Sequence, residues 1–178
     1  MTRIVAGAAR GRRLEVPRGL STRPTSEKVR AAVFNVLGQF FDGGAVLDLY
    51  AGSGALALEA LSRGCERATC VEADRWAVQT IRANVEALGW EGRVEVRHGR
   101  VEDLLARLPG GYALAFVDPP YADGPGAALA LLGPLLAPGG RAVAEHDTRA
   151  PPPDRVGDLS LVDRRAYGGT GISIYRRD

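Results

Sequence analysis

Four consecutive residues, Asp118-Pro119-Pro120-Tyr121, combine a carboxylate, a rigid corner and an aromatic ring. They follow the apolar run 112–117, and two prolines cannot continue the hydrogen-bond ladder of a sheet. An ordinary strand exit would explain the prolines, but not the acid before them and the ring after them. A carboxylate and a fixed backbone carbonyl can accept hydrogen bonds from an amine, and a ring can stack on a planar group. These four residues are the candidates for catalysis.

A second stretch, residues 45–54, has the pattern of a strand followed by a glycine turn. Its apolar run ends at Asp48, Gly52 and Gly54 form the turn, and good helix formers occupy residues 55–61. Glycine lets a backbone approach a ligand closely, and a helix start offers free N–H groups to an anion. The spacing fits the G-x-G-x-x-A form of a dinucleotide site, although a turn that only packs a helix on a strand is the simpler alternative.

Glu72 adds to this second candidate site. It lies twenty residues after Gly52, at the end of the apolar run 68–72. An acid at this distance can accept hydrogen bonds from both hydroxyls of a ribose. NAD and S-adenosylmethionine both contain such a ribose, so these residues predict a nucleoside-type cofactor without choosing between the two.

Short apolar runs alternate with helical patterns between residues 45 and 147. Strands are predicted at 46–49, 68–72, 94–97, 113–118 and 140–145, and helices at 55–63, 75–88, 101–108 and about 126–136. Nearly continuous apolar strands are typical of a parallel sheet covered on both faces, so the pattern predicts a doubly wound α/β fold. Ligands bind beyond the carboxyl ends of such strands, where Asp48, Glu72 and Asp118 all lie. After a Pro-rich loop at 151–153, an antiparallel hairpin of 159–165 and 172–176 is expected to complete the sheet edge.

The first 30 residues are strongly basic. They hold eight basic and two acidic residues, a balance of +6, whereas the whole chain has a net charge of +2. Seven of the eight are arginines, which hold phosphate in a bidentate fork. We predict a hairpin or an open loop with arginines at its tip, then a helix from Thr25 or Ser26 to about Gln39. A polyanion is the expected partner, and a merely solvated terminus is the alternative.

The composition sets the broad class of the protein. The chain has 178 residues, 46% hydrophobic and 25% charged, as expected of one globular domain. No apolar run has the ~18–20 residues that span a bilayer, and the N-terminus lacks the apolar core of a signal peptide. A cytoplasmic protein without membrane contact is expected. Cys65 and Cys70 are expected to be reduced thiols, and no metal site is predicted because no histidine lies at a zinc-ligand spacing.

The signature at 118–121 resembles the [Asp/Asn]-Pro-Pro-[Tyr/Phe] motif of methyltransferases that modify planar amino groups. The exocyclic amine of a base is a poor nucleophile, because its lone pair is delocalised into the ring. Hydrogen bonds to Asp118 and to the Pro119 carbonyl would favour a pyramidal nitrogen, and Tyr121 would stack on the base. Catalysis is then mostly positioning and electrostatics. This resemblance selects S-adenosylmethionine as the cofactor.

The whole chain resembles the bacterial methyltransferases that modify guanine N2 in small-subunit ribosomal RNA, the RsmD-like family. The signatures that carry the resemblance are Arg3–Gly7, Arg10–Leu14, Arg23–Thr25, Arg30, Phe34-Asn35, Asp48–Gly54, Glu59–Gly64, Asp118–Tyr121 and Tyr167-Gly168. The resemblance implies a Rossmann-like sheet of seven strands, the last one antiparallel, in a methyltransferase domain over 41–178. A small RNA-binding hairpin and helix would precede it over 1–40. The implied substrate is guanine 966 of 16S ribosomal RNA, in the small subunit or its assembly intermediate. A small domain with a free RNA-facing cleft is expected to work as a monomer.

Site residues follow from the same resemblance. The methionine end of the cofactor would contact Asp48, Gly52, Ser53 and Gly54, its ribose would contact Glu72, and its adenine would lie at Arg100 and Val101. Related enzymes have Asp or Asn at Arg100, where the side chain accepts a bond from the adenine amine, which arginine cannot do. The RNA would contact Arg3, Arg10, Arg12, Arg13, Arg23, Thr25 and Arg30.

Other functions share parts of these patterns. DNA adenine-N6 methylation uses the same signature, but the chain has little room for a separate target-recognition domain. Protein glutamine methylation is a third use of this chemistry, and the arginine-rich arm favours a nucleic acid over it. A nicotinamide-dependent oxidoreductase would leave residues 118–121 unexplained. A non-catalytic RNA-binding assembly factor would not need the intact signature.

Overall fold

The computed structural model describes residues 1–17, 27–120 and 122–178. The helices are α1 (Glu27–Leu37), α2 (Ala55–Ser62), α3 (Arg75–Leu88), α4 (Val101–Leu104) and α5 (Gly126–Leu132). The strands are β1 (Thr2–Arg3), β2 (Arg13–Leu14), β3 (Ala45–Leu49), β4 (Arg67–Glu72), β5 (Val94–His98), β6 (Tyr112–Val117), β7 (Leu136–Asp147), β8 (Arg155–Val156), β9 (Leu159–Tyr167) and β10 (Thr170–Arg177). No helix in these ranges has the length and apolar character to cross a membrane.

The main sheet has the order β5-β4-β3-β6-β7-β10-β9-β8. Strands β3 to β7 pair in parallel, and β10 is antiparallel to both of its neighbours, β7 and β9. The doubly wound fold with an antiparallel last strand is therefore confirmed. The sheet differs from the predicted seven strands by β8, a two-residue strand that follows the proline loop and pairs with the edge strand β9.

Two hydrophobic clusters cover the two faces of this sheet. On β3, Val46 belongs to one cluster, whereas Leu47 and Leu49 belong to the other, because successive side chains of a strand point to opposite faces. The first cluster packs α1, α2 and α3 with residues of the N-terminal hairpin, and the second packs α4 and α5. The hairpin and α1 thus share the core of the doubly wound fold.

Two predicted helices are shorter in the structure. The segment predicted as 101–108 is α4 followed by a 3-10 turn at Leu105–Arg107, and the segment predicted as 126–136 is α5 followed by a 3-10 turn at Gly133–Leu135. Pro134 lies in the second turn, and proline has no N–H with which to continue an α-helix. The next strand accordingly begins at Leu136, earlier than the predicted residue 140.

The N-terminal hairpin is present, with Thr2 paired to Leu14 and Arg3 to Arg13. The predicted caps of α1, Thr25 and Ser26, lie outside the described residues. Both cysteines are free and buried.

Candidate functional site

One cleft of about 630 Å³ opens at the carboxyl ends of β3, β4 and β6. The predicted site residues that line it are Asp48, Gly52, Ser53, Glu72, Arg100, Val101, Asp118, Pro119, Pro120 and Arg30. These residues come from separate parts of the chain, and the parallel sheet brings them to one edge. The cofactor and catalytic residues predicted from the sequence therefore lie together, with two exceptions. Gly54 is buried at the end of the turn, and Tyr121 lies outside the described residues.

The glycine turn has a left-handed backbone at several positions. Gly52 has a φ of 57° and Gly54 a φ of 76°, a conformation that side chains with a Cβ rarely adopt. A Cβ on Gly54 would lie 3.3 Å from Ile81, so this residue also permits close packing of α2 on α3. Asn84 secures the turn from below, because its Nδ2 donates to the Ser53 carbonyl at 3.0 Å.

Glu72 is fixed by the backbone on both sides of its carboxylate. The Gly52 N–H donates to Oε2 at 2.8 Å, and the Asp74 N–H donates to Oε1 at 2.8 Å. Asp74 in turn caps α3 by accepting from the N–H groups of Trp76 and Ala77. The Glu72 carboxylate is thus held rigidly at the cleft, next to the glycine turn.

Asp48 is the most deeply buried acid of the cleft. It is 1% exposed, and its Oδ2 accepts a hydrogen bond from the Ala57 N–H of α2 at 3.1 Å. Burial raises the pKa of Asp48 well above its usual value, and the charges of Asp118 and Glu72 raise it further. Three carboxyl groups therefore share one confined site, which favours a positively charged ligand.

We expect Asp48→Asn to show that this buried charge opposes folding. Because the pKa of Asp48 is raised in the folded state, the native protein retains a proton that the unfolded chain loses above pH ~4. The free energy of unfolding therefore falls as pH rises from ~4 to the raised pKa of the folded protein. The asparagine side chain keeps an oxygen for the Ala57 N–H and carries no charge. Urea unfolding should give equal stabilities near pH 3 and a growing advantage for the variant at higher pH. A stability difference that does not depend on pH would contradict this assignment.

The catalytic candidates follow β6 directly. Val117 ends the strand, Asp118 is half-buried, Pro119 is buried and Pro120 is exposed. The Pro120 carbonyl accepts from the Asp123 N–H at 3.0 Å, which closes the turn after the two prolines. The Asp118 carboxyl and the Pro119 backbone are therefore presented to the cleft from a stiff corner.

The opposite rim of the cleft is formed by α4 and the end of β3. Arg100 precedes α4, its side chain is 72% exposed, and its Nε lies 3.4 Å from Glu102. Tyr50, which has a left-handed φ of 62°, donates its hydroxyl hydrogen to Glu102 at 3.1 Å. The Arg100 side chain thus pairs with an acid at the rim, and Val101 is buried behind it.

The residues predicted to contact RNA fall into three groups. Arg3, Arg10, Arg12 and Arg13 are exposed on the hairpin. Arg30 is 1% exposed and lies 3.6 Å from the buried Glu59, so its guanidinium is held by the protein and not offered to solvent. Arg23 and Thr25 lie outside the described residues. The structure therefore gives Arg30 a different environment from the others.

Several residues of the site were not predicted from the sequence as functional. Glu59, Asn84, Tyr50, Glu102 and Glu145 all line the cleft or support it. Glu59 lies in a helix that is otherwise almost entirely apolar, and Glu145 ends the strand that the sequence predicts at 140–145, although β7 continues to Asp147 in the structure. Both patterns were visible signals, since a lone acid in an apolar helix needs a buried partner and strand ends line ligand clefts.

Comparison with known proteins gives a consistent family. The family described as Conserved hypothetical protein 95 matches residues 2–176. A protein of Bacillus subtilis named "Putative rRNA methyltransferase YlbH" is 40% identical over 181 residues, which cover 98% of each chain. "Ribosomal RNA small subunit methyltransferase D" of Escherichia coli is 40% identical over 122 residues, which cover 68% of this chain and 61% of that protein. The solved structure of "Putative methyltransferase yhhF" from Escherichia coli superposes with a TM-score of 0.85, at 33% identity, over 99% of this chain and 98% of the other.

Proposed function

Since the chain belongs to the family described as Conserved hypothetical protein 95, we propose that it methylates the N2 amine of a guanine in 16S ribosomal RNA, with S-adenosylmethionine as the methyl donor. The proposed target is guanine 966, presented by the small subunit or its assembly intermediate to a monomeric enzyme. The observation that carries the proposal is the cleft in which Asp118 and Pro119 lie beside Glu72 and the glycine turn. The names of the relatives, which refer to ribosomal RNA, support the choice of substrate.

The residues of the cleft fit S-adenosylmethionine. Glu72 and Asp118 give the cleft a negative lining, which suits the sulfonium and ammonium charges of this cofactor, and a positive ligand beside the buried Asp48 would favour its charged form. Glu72 accepts one hydrogen bond on each oxygen, from Gly52 and Asp74, and a carboxylate has about four acceptor sites, so capacity remains for the ribose hydroxyls. The cleft volume of about 630 Å³ is also typical of a site for a ligand of this size.

The catalytic residues would act by positioning the amine. When bound, the cofactor supplies an electrophilic methyl group, whose bond to sulfur breaks as the bond to the amine nitrogen forms. The Asp118 carboxylate and the Pro119 carbonyl would accept the two N–H bonds and direct the nitrogen lone pair toward the methyl group. Asp118 is also the group placed to take the proton that the amine loses. Tyr121 would stack on the base, and the base would have to leave its stack to enter the cleft unless the RNA presents it unpaired.

The test is radiolabelled methyl transfer to three substrates in parallel. These are small ribosomal subunits from cells that lack the modification, naked 16S RNA and duplex DNA. Digestion of the product then identifies the modified nucleoside. The expected product is N2-methylguanosine in a ribosomal sample, and the better ribosomal sample shows whether ribosomal proteins help to present the base.

Each other outcome points to a different function. Label in DNA adenine would support S-adenosylmethionine as the cofactor and would reject RNA as the substrate. Cofactor binding without any label would favour a non-catalytic assembly factor. Binding of NAD in place of S-adenosylmethionine, measured by calorimetric titration, would reject methyl transfer altogether.

The exposed arginines of the hairpin are expected to provide affinity for the RNA backbone without sequence preference. Replacing Arg10, Arg12 and Arg13 by glutamine should weaken RNA binding and lower its salt dependence. Each lost phosphate contact removes about 0.7–0.9 from the slope of log K against log salt, so three contacts should remove roughly 2–3. Filter binding between 50 and 200 mM salt, the range over which such contacts are strongly screened, measures this slope.

A matched control replaces three exposed arginines away from the hairpin, namely Arg67, Arg107 and Arg155. This variant has the same net charge as the first one and should keep the slope of the wild-type protein. Equal effects of the two variants would mean that the hairpin has no special role. An unchanged affinity in the hairpin variant would reject its proposed contact with RNA.

A further inference from the structure

Glu145 lies beside Asp118 at the same edge of the sheet. β6 and β7 are neighbouring parallel strands, and their register pairs Val117 with Ala144. Asp118 follows Val117 in the chain, and Glu145 follows Ala144. Since neighbouring strands are about 4.8 Å apart, these two acids are adjacent across the sheet.

The two side chains also point to the same face. Phe116 and Val143 belong to the cluster on the α1 side of the sheet, whereas Val117 and Ala144 belong to the other cluster. Because strand side chains alternate, the next position of each chain returns to the α1 side. Asp118 and Glu145 accordingly line the same cleft.

The backbone at Glu145 is held by β10, where Glu145 is in register with the buried Ile172. It follows directly after Ala144, the last residue of β7 that pairs with β6. The side chain is half-buried in the cleft wall. A carboxylate on such a rigid support can discriminate between ligands, because it cannot retreat from a group that repels it.

Guanine has a second hydrogen-bond donor beside its N2 amine, which a second carboxylate could accept. Guanine carries its N1–H donor next to the N2 amine, whereas adenine and cytosine have an unprotonated ring nitrogen beside their amine. We infer that Glu145 accepts the N1–H of the target guanine while Asp118 and Pro119 hold the N2 amine. This inference rests on the proposed function and adds the residue that selects the base. A base with a lone pair at this position would face the carboxylate with like polarity and would offer it no donor.

The experiment compares two target bases that both carry the N2 amine. Small-subunit particles are reconstituted with RNA that contains either guanosine or 2,6-diaminopurine at the methylated position. Diaminopurine keeps the amine and replaces the N1–H donor by an acceptor. Wild-type protein should prefer guanosine in kcat/KM by on the order of 10²-fold or more, as is usual when a buried polar group loses its partner.

The Glu145→Gln variant should largely lose this preference. The glutamine amide can accept the N1–H of guanosine with its oxygen or donate to the acceptor of diaminopurine with its N–H, so methylation of guanosine should change little while methylation of diaminopurine should rise relative to wild type. A merely structural role would lower both rates and leave their ratio unchanged, and that result would overturn the inference. Glu145→Asp, which keeps the carboxylate, should still methylate guanosine in preference to diaminopurine. Should Glu145→Gln fail to fold, as judged by its melting temperature and cofactor titration, an inverted preference in Glu145→Asp would overturn the inference and a retained one would support it.

Glu86→Gln is the matched control, since Glu86 is exposed on α3 and outside the cleft. Its ratio should equal that of the wild-type protein. If wild-type protein methylates guanosine and Glu145→Gln keeps the full preference, the inference fails and the proposed function stands. If wild-type protein methylates neither base, both fail.

Discussion

Replacing Asp118 by alanine is expected to lower methyl transfer by about 10²–10³-fold, the range found when one positioned group of a polar catalytic site is removed. The reason is that alanine cannot accept an N–H bond from the amine, and only the Pro119 carbonyl would remain. Cofactor affinity should change little, because Glu72 and the glycine turn are held by their own hydrogen bonds on β3 and β4. Single-turnover transfer and calorimetric titration with S-adenosylmethionine separate these two quantities.

Asp118→Asn is the informative companion of this variant. The amide oxygen accepts a hydrogen bond as the carboxylate does, and the signature that residues 118–121 resemble has either Asp or Asn at this position. We therefore expect Asn to restore much of the activity that Ala removes. If Ala were as active as wild-type protein, Asp118 would have no catalytic role. If Asn were as inactive as Ala, proton acceptance would outweigh positioning.

Local patterns allowed much of the fold to be predicted. The helix predicted at 75–88 has these bounds in the structure, because Asp74 caps its first turn and Gly89 ends it with a left-handed φ of 71°. The strand ends at Asp48, Glu72 and Asp118 were predicted to meet because parallel strands of a doubly wound sheet present their carboxyl ends at one edge. In both cases, the cause lies within a few neighbouring residues or in a general rule of the fold.

Long-range polar contacts could not be predicted in the same way. Asn84 donates to the carbonyls of Ser53 and Glu15, 31 and 69 residues away. A single asparagine within an amphipathic helix gives no indication of such partners, because its polarity suits an exposed position equally well. The role inferred for Glu145 likewise depends on which strand lies beside β7, and sequence order does not state that. The partners of such polar residues therefore depend on which distant segments the fold brings together.

The buried group formed by Glu59, Arg30 and Arg63 is the clearest of these contacts. Glu59 is fully buried, accepts from Arg63 Nε at 2.7 Å and lies 3.6 Å from Arg30 Nε. It also accepts from the N–H groups of Val5 at 2.8 Å and Ala6 at 3.0 Å. One carboxylate therefore balances two buried cations and fastens the N-terminal hairpin to α2.

Replacing Glu59 by alanine is expected to lower the free energy of unfolding by about 3–5 kcal/mol, as observed when one partner of a buried ion pair is removed. The change leaves Arg30 and Arg63 without their counter-charge, and two backbone N–H groups lose their acceptor. For a chain of this size, each kcal/mol lowers the melting temperature by about 2–4 °C, so a fall of roughly 10 °C should be seen by calorimetry. Hydrogen exchange at Val5 and Ala6 should accelerate more than exchange in the central strands.

Two further variants decide whether charge is the cause. Glu86→Ala removes an exposed glutamate from a helix and should change stability by less than ~0.5 kcal/mol. Glu59→Leu combined with Arg30→Met and Arg63→Met removes all three charges and should recover much of the loss, since apolar replacement of a whole buried ion group is often neutral or stabilising. If the triple variant is no more stable than Glu59→Ala, packing or the hairpin hydrogen bonds outweigh the buried charges. If Glu59→Ala is as stable as Glu86→Ala, the carboxylate does not hold the hairpin on α2.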